Sequence, residues 1–483
     1  MTEVLEMLLN FIKMTQINKI YQKITLFFIL FTTIFFISYF HKKGLPCYLD
    51  FNDSAQDLIK KCGIGDYSQY AKLALDYYKF GFITEDNYWI ANNWPPGVPM
   101  IFYISLVLFG INGSILLFPL LLNSFLWSYF FYLFITSLIS KEFKNNLMIF
   151  LLIIFLLNSY LFKYFFFVYG IVESNGWSSV FFLLGLLLLF NNIKNKNFEN
   201  NKNKFREIIL ISSLFFFSTL FRLNIDILIY FIALFFLIKI FFNYLLLVYL
   251  KKKYFKFSFK KFPTDFIILK VFLLTLLISM PLKIHHRSLL NSKGGMAAHI
   301  NWMPTQILNE IGGGYAVLGG GNIACILNPI LCEKLSSVQL EYDKKNNVPG
   351  DNRIYFNHYW DQKFYFAITL SEFIQQPLKW LYIKWIKVFP NYWFDNGLGG
   401  DALGDYNFFD KFLDFIILIM LLFIFIKIIT LKANNIVLIN IPLVISYLLV
   451  FNFYIMEPRY FIPMKAIILF SFLLSFIYKR KKF

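Results

Sequence analysis

Few residues in this chain are equipped for chemistry, and Asp66 is the first of them. It heads a run, Tyr67, Tyr70, Ala71, Ala74, Tyr77 and Tyr78, whose spacing is that of one helix face, with Gly81 placed to end the helix. Its carboxylate has two readings. With Gln69 three residues on it forms a capping-box pattern and merely closes the helix end; alternatively it is a catalytic carboxylate held in a fixed place. The histidines are His41, His285, His286, His299 and His358. The pair His285-His286 beside Arg287 is a candidate for phosphate or metal, but adjacent side chains on one helix or strand point apart, which disfavours a chelate. Gly312-Gly313-Gly314 and Gly319-Gly320-Gly321-Asn322 could approach a phosphate through backbone N–H groups. They lack the strand–Gly-x-Gly-x-x-Gly–helix setting, or the following Lys-Ser/Thr, of a nucleotide loop, so neither ATP nor a nucleotide sugar is indicated. The close pairs Cys47/Cys62 and Cys325/Cys332 are each spaced for a local disulfide, which requires an oxidising compartment, or are two pairs of free thiols. Neither pair has the Cys-x-x-Cys spacing of zinc ligands.

The elements that position these residues are mostly hydrophobic. Of 483 residues 58% are hydrophobic and only 15% charged, against about 25% charged in an ordinary soluble chain. The apolar residues fall in blocks such as Ile24–Phe40, Ser114–Ser140 and Phe415–Ile429, long enough to cross a hydrocarbon core of about 30 Å. A soluble multi-domain enzyme is excluded. The net charge of +18 would point to nucleic acid in a soluble protein; here it sits in loops between apolar blocks, so no nucleic-acid partner is expected. The excess of Phe, Ile, Lys and Asn follows from the codon usage of an AT-rich genome.

Charge placement gives a topology. Short basic segments, Lys13–Lys23, Lys141–Lys144, Lys194–Arg206, Lys251–Lys261, Lys427–Lys432 and Lys479–Lys482, alternate with the blocks. The two long polar segments are balanced: His41–Gly113 holds six basic and seven acidic residues, and Leu282–Asp410 eleven of each. The positive-inside rule puts the basic loops in the cytoplasm and both long segments outside. An all-α polytopic membrane protein of about ten spans follows, near 24–40, 114–140, 146–162, 176–190, 208–222, 225–247, 265–281, 410–430, 435–453 and 461–478, with both termini inside. The span 225–247 contains Lys239, and the alternative for it is a surface helix that ends early; Lys270 can snorkel. Val98–Phe109 is too short to span and reads as an interfacial helix. Three parts result: an N-terminal transmembrane module, 1–281, with the first outer loop 41–113; an extracytoplasmic segment, 282–410; and C-terminal transmembrane helices, 411–483. Met1–Lys23 leads into an apolar block that lacks a small-residue cleavage site and acts as a signal anchor.

Within the first outer loop the Asp66 helix is expected to lie on the membrane as an amphipathic element. It is followed by Trp94-Pro95-Pro96-Gly97-Val98-Pro99, a stiff turn, then Met100–Phe109 and Gly110. Later, Glu372–Pro390 interleaves Phe373, Leu378, Trp380, Leu381, Trp385 and Val388 with Lys379, Lys384 and Lys387, an aromatic and basic helix suited to a membrane surface.

The order of these pieces resembles the GT-C superfamily of membrane glycosyltransferases, whose members include the protein O-mannosyltransferases and the aminoarabinose transferases. The resemblance rests on the carboxylate-headed helix after the first span, Pro-Pro-Gly-x-Pro, and the apolar run ending in Phe109-Gly110. It continues with Glu173 heading a span in Val172-Glu173-Ser174, and with Ser213–Leu223 ending in Phe221-Arg222-Leu223. Pro281, Lys283 and Arg287 then lead to the glycine triplets, and Glu457-Pro458-Arg459-Tyr460-Phe461-Ile462-Pro463 is similar to the family's Arg-Tyr-x-x-Pro before a late span. Many relatives carry two adjacent acids in the first loop; here Tyr67 follows Asp66. A divalent metal remains compatible with the family, and no other cofactor is called for.

The resemblance implies a sugar donor on a polyprenyl phosphate, in contact with membrane lipid, and an acceptor that is protein, lipid or glycan. It implies Asp66 as general base and Glu173 as a residue that orients the acceptor or pairs with an Arg. Departure of the lipid phosphate is the hard step, and fixed positive charge would stabilise it. Arg222, Arg459, Lys283 and Arg287 are the candidates, with Arg222 and Arg459 preferred because they lie close to span ends; snorkelling anchors are the alternative reading. The composition and the absence of an ER retrieval signal favour a bacterial inner membrane with the site facing the periplasm. Two other classes stay open. A transporter or flippase of lipid-linked sugars would be expected to show internal repeats and polar residues in its spans, whereas these spans read as nearly free of charge. A glycan polymerase or ligase usually relies on several Arg in its large outer loop, and Leu282–Asp410 holds only Arg287 and Arg353.

Overall fold

The computed structural model of the chain describes residues 19–40, 47, 49–63, 66–87, 96–139, 174–194, 201–251, 263–290, 374–382, 385–386, 389–394, 408–430, 435–453 and 461–477. Among them the structure is helical and contains no strand. The N-terminal part comprises α1 (Lys19–Phe40), α2 (Ala55–Cys62), α3 (Asp66–Phe80), a 3-10 turn (Glu85–Asn87), α4 (Gly97–Phe109) and α5 (Leu117–Ile139). Then come α6 (Ser174–Lys194), α7 (Asn201–Phe221), α8 (Leu223–Lys251) and α9 (Pro263–Leu290). The C-terminal part has the short α10 (Pro377–Tyr382) and α11 (Phe389–Trp393), followed by α12 (Phe408–Ile429), α13 (Asn435–Leu438), α14 (Asn440–Phe453) and α15 (Ile462–Ile477).

Among the described residues five stretches are long and apolar enough to cross a membrane: Leu117–Thr136, Ser174–Ile193, Ile227–Leu246, Pro263–Pro281 and Lys411–Ile429. Shorter apolar stretches, Lys23–Tyr39, Gly97–Phe109, Asn440–Leu449 and Ile462–Leu473, lie on α1, α4, α14 and α15. The expected span 208–222 lies on α7, whose first turns carry Lys202, Lys204, Arg206 and Glu207 and shorten its apolar part. The expected span 146–162 is outside the described residues. α12 leaves Phe412, Phe415, Ile419, Leu422 and Ile426 exposed along one side, a continuous apolar face suited to lipid.

Small residues and aromatic rings set the packing, as expected where lipid removes the hydrophobic drive between helices. α6 and α7 run antiparallel: Trp177 stacks on Phe221 with ring centroids 5.8 Å apart, and Phe182 meets Phe215 at 5.1 Å. Gly185 makes the close approach, since a Cβ there would lie 2.9 Å from the Phe215 ring. The Ser218 hydroxyl donates to the Ser178 carbonyl at 2.6 Å, and the Ser212 hydroxyl to Val271 on α9 at 3.0 Å. On α1, Phe27, Phe31, Phe35 and Tyr39 stack at four-residue spacing, and Tyr39 continues the stack onto Phe51. Phe130 and Phe134 of α5 clasp Phe470 of α15 edge-on.

Lys239 does not end its helix. α8 continues to Lys251 because the Lys239 ammonium is neutralised by Asp265 at 2.8 Å, on α9, and donates to the Asn435 side chain at 2.7 Å, on α13. Lys270 sits over the Phe266 ring, 4.4 Å from its centroid. α9 carries the chain as one helix past the boundary expected after residue 281, through Pro281 to Leu290. In the aromatic and basic stretch 372–390 the described residues bend at Gln376. They include α10, with Trp380 buried, and the start of α11.

Candidate functional site

The segment after α1 is built on α2, a short helix whose Ala55, Leu58, Ile59 and Cys62 fall at helical spacing and face the core. Ser54 and Asp57 form a reciprocal capping box at the head of α2: the Ser54 hydroxyl accepts from the Asp57 N–H, and the Asp57 carboxylate from the Ser54 N–H at 3.1 Å. Hydrogen bonds from the Ser54 side chain and backbone hold the Asp57 carboxyl below its usual value. A disulfide joins Cys47 to Cys62 at the other end of α2, with Cα atoms 5.1 Å apart. Asp53 pairs with Lys61 at 2.7 Å, the Asp53 carbonyl accepts from the Ile115 N–H at 3.0 Å, and the Ser114 hydroxyl donates to the Phe51 carbonyl. The loop is thereby fixed to the segment from which α5 departs.

Asp66 is the first residue of α3, three positions after Gly63, whose carbonyl accepts from the Ser68 hydroxyl at 2.5 Å. Gly81 ends the helix as its spacing predicts, with φ +75° and its N–H on the Tyr77 carbonyl at 3.0 Å. The buried face differs from the expected one. Ser68, Gln69, Leu73 and Leu75 are buried alongside Tyr70, Ala71 and Ala74, whereas Tyr78 is 37% exposed. The cause is packing on two sides: α3 lies against α2 and also against α4, where Tyr77 meets Tyr103 edge-on at 6.4 Å. Protein covers it over its first turns. Beyond it, Asp76 accepts from the Thr84 N–H, the Thr84 hydroxyl and the Asn87 amide at 2.8, 2.6 and 2.8 Å, which fixes the turn after Gly81.

Arg222 occupies the break between α7 and α8, half-buried, with its Nε covered. The residue before it is the pivot of a three-helix junction. Phe221 stacks between Trp177 and Phe181 of α6, and the first residue of α4, Gly97, lies so close that a Cβ there would sit 2.5 Å from the Phe221 ring. The α6–α7 register, Ser178 opposite Ser218 and Trp177 opposite Phe221, brings buried Ser174 to the level of Arg222. The start of α4 at Gly97, the start of α6 and the arginine thus meet at one end of the bundle. α4 touches α7 there and α3 along its length, so Asp66 and Arg222 are carried on two helices that share α4 as their packing partner.

Lys283 and Arg287 fall on the last turns of α9. Glu173, Arg459, Cys325 and Cys332 lie outside the described residues, as do His41, His299, His358 and both glycine triplets. Among the described residues no three His, Cys, Asp or Glu side chains gather to hold a metal ion.

One charged cluster escaped sequence reasoning. Lys465 on α15, fully buried, pairs with Asp414 on α12 at 2.6 Å and donates to the Trp393 carbonyl at 2.7 Å. Its only sequence signal is a Lys inside an apolar run, Met464-Lys465-Ala466, and an Asp inside another. Two of the few charges in the apolar helices, Asp414 and Lys465, are thus paired with each other. No protein-family model, curated protein or solved structure matches this chain.

Proposed function

We propose that this chain is a GT-C-type membrane glycosyltransferase, moving a sugar from a polyprenyl-phosphate donor to an acceptor hydroxyl or amine outside the cytoplasm. The observation that carries the reading is the shared helix α4, which packs on the helix headed by Asp66 and on the helix that ends just before Arg222. A base for the acceptor and a cation for the leaving phosphate are the two charges the reaction needs. Asp66 takes the acceptor proton as its oxygen or nitrogen attacks the anomeric carbon. The bond from that carbon to the phosphate oxygen breaks, and the lipid phosphate leaves as an anion stabilised by Arg222, joined in this reading by Arg459, Lys283 or Arg287. Glu173 orients the acceptor. The proposal includes ten spans with both termini in the cytoplasm and the site facing the periplasm of a bacterial inner membrane. The Cys47–Cys62 disulfide supports an oxidising side for the first loop.

The test is transfer of radiolabelled sugar from a mixed polyprenyl-phosphate donor pool, in membranes bearing wild type or Asp66→Asn. Label moving to a less lipid-soluble product with wild type alone supports the reading. Equal transfer by the inserted variant would refute the role of Asp66. The buried Asp414–Lys465 pair favours a second reading, a transporter of lipid-linked sugars, because membrane-buried charges mark transport paths. That reading requires wild type to move a lipid-linked sugar between leaflets with no transfer product.

A further inference from the structure

α11 ends at Trp393, and its last turn is fastened to the membrane helices from three sides. Lys465 Nζ donates to the Trp393 carbonyl at 2.7 Å and to Asp414 Oδ2 at 2.6 Å, and sits 5.1 Å from the centroid of the Trp393 ring. The Trp393 indole N–H closes the circuit on the Asp414 carbonyl at 3.2 Å. Asp414, Lys465 and Trp393 are all buried. Rings complete the seat: Phe389 and Trp393 each pack edge-on to Phe461 at 5.7 Å, and Phe461 is tilted on Tyr447 of α14 at 6.1 Å. The three polar residues come from α11, α12 and α15, so the circuit exists only when all three elements are assembled.

An isolated ammonium or carboxylate in an apolar interior is strongly unfavourable, and removing one member of a buried pair leaves the other uncompensated. We infer that Lys465 and Asp414 form an internal clasp: α12 and α15 assemble as a neutral pair, and the ammonium straps the α11 end of the preceding polar segment onto the bundle. The strap then lies over Phe461, at the start of the helix that follows Arg459. Neither donor nor acceptor enters this inference, so it stands or falls separately from the transferase reading.

The experiment uses the full chain in membranes and compares wild type, Lys465→Met, Asp414→Leu and the double variant. Each single variant is expected to accumulate at about a tenth of the wild-type level, and the double variant, with neither charge left, to recover most of it. Single variants that accumulate like wild type, or losses that add in the double variant, would overturn the pair. The strap is read separately in a Phe461→Cys background with a membrane-impermeant maleimide. Labelling should be slow with Lys465 present and at least about tenfold faster with Lys465→Met, measured on whatever protein accumulates. Equal labelling rates would overturn the strap.

Discussion

Phe221 occupies the space that a side chain on Gly97 would need, with its Cδ1 2.5 Å from where a Cβ would stand. Gly97 is thus required for room, and the start of α4 is fixed to the residue that precedes Arg222. Gly97→Ala should cost about 1–3 kcal/mol through overpacking, read as a lower thermal midpoint in detergent. Adding Phe221→Leu should return part of the loss, because it frees the volume the methyl group takes. Simple additivity of the two changes would show that they do not touch.

Arg222 is the cation in the proposed site whose surroundings are described. Arg222→Ala should lower sugar transfer per inserted protein by about a hundredfold or more if it stabilises the leaving phosphate. Arg222→Lys keeps the charge but loses the planar fork, so it should fall between the two. Unchanged transfer in Arg222→Ala would return the residue to its reading as an interfacial anchor.

Long apolar runs made most of the helical frame legible, because a span needs little more than length and the absence of charge. Gly81 was legible as a stop because positive φ at a helix end favours glycine. α2 was legible too, in the cap signature Ser54-x-x-Asp57 and in Ala55, Leu58, Ile59 and Cys62 at helical spacing, but its eight residues stand out little beside the long apolar runs. The buried face of α3 was misjudged because Ser68 and Gln69 turn inward against neighbours that sequence cannot supply. The Asp414–Lys465 pair spans 51 positions, and each residue alone reads as an oddity within its span. Asp66 and Arg222 were legible as types and spacings; their common support on α4 was not.

The Cys47–Cys62 bridge closes a loop with a sequence separation of 15. In the chain-entropy account a loop of that length is worth about 3 kcal/mol. Reduction and Cys47→Ser with Cys62→Ser should each lower the thermal midpoint, and any further drop that reductant causes in the double variant would report a Cys325–Cys332 bridge. A midpoint insensitive to both would mean that the hydrogen bonds from 51–53 to 114–115 already hold the loop.

Asp57 supplies a pH dependence whose sign is fixed by its lowered pKa. A carboxyl depressed in the folded protein contributes fully above its unfolded value, and the contribution is lost as pH falls through the folded value. Protection of the α2 amides from hydrogen exchange, corrected for intrinsic rates, should therefore drop on acidification below the ordinary carboxylate range. Asp57→Asn should already have reduced protection at neutral pH and lose that part of the dependence. The same acid-induced drop in Asp57→Asn would assign it to another carboxylate.

Asp66 carries the sharpest choice, between helix cap and general base, and the two roles answer differently to substitution. Asn and Ser cap a helix about as well as Asp, whereas Ala costs about 1 kcal/mol. Neither Asn nor Ser can take a proton from an acceptor as a carboxylate does. If Asp66 only caps α3, Asp66→Asn and Asp66→Ser keep both stability and transfer, and Asp66→Ala alone suffers. A general base predicts the opposite order: all three lose about a hundredfold to ten-thousandfold in transfer, while Asn and Ser keep the wild-type thermal midpoint. Asp66→Glu tests placement, since it restores the carboxylate one methylene further out, and it should recover part of the rate only if the acceptor tolerates that shift.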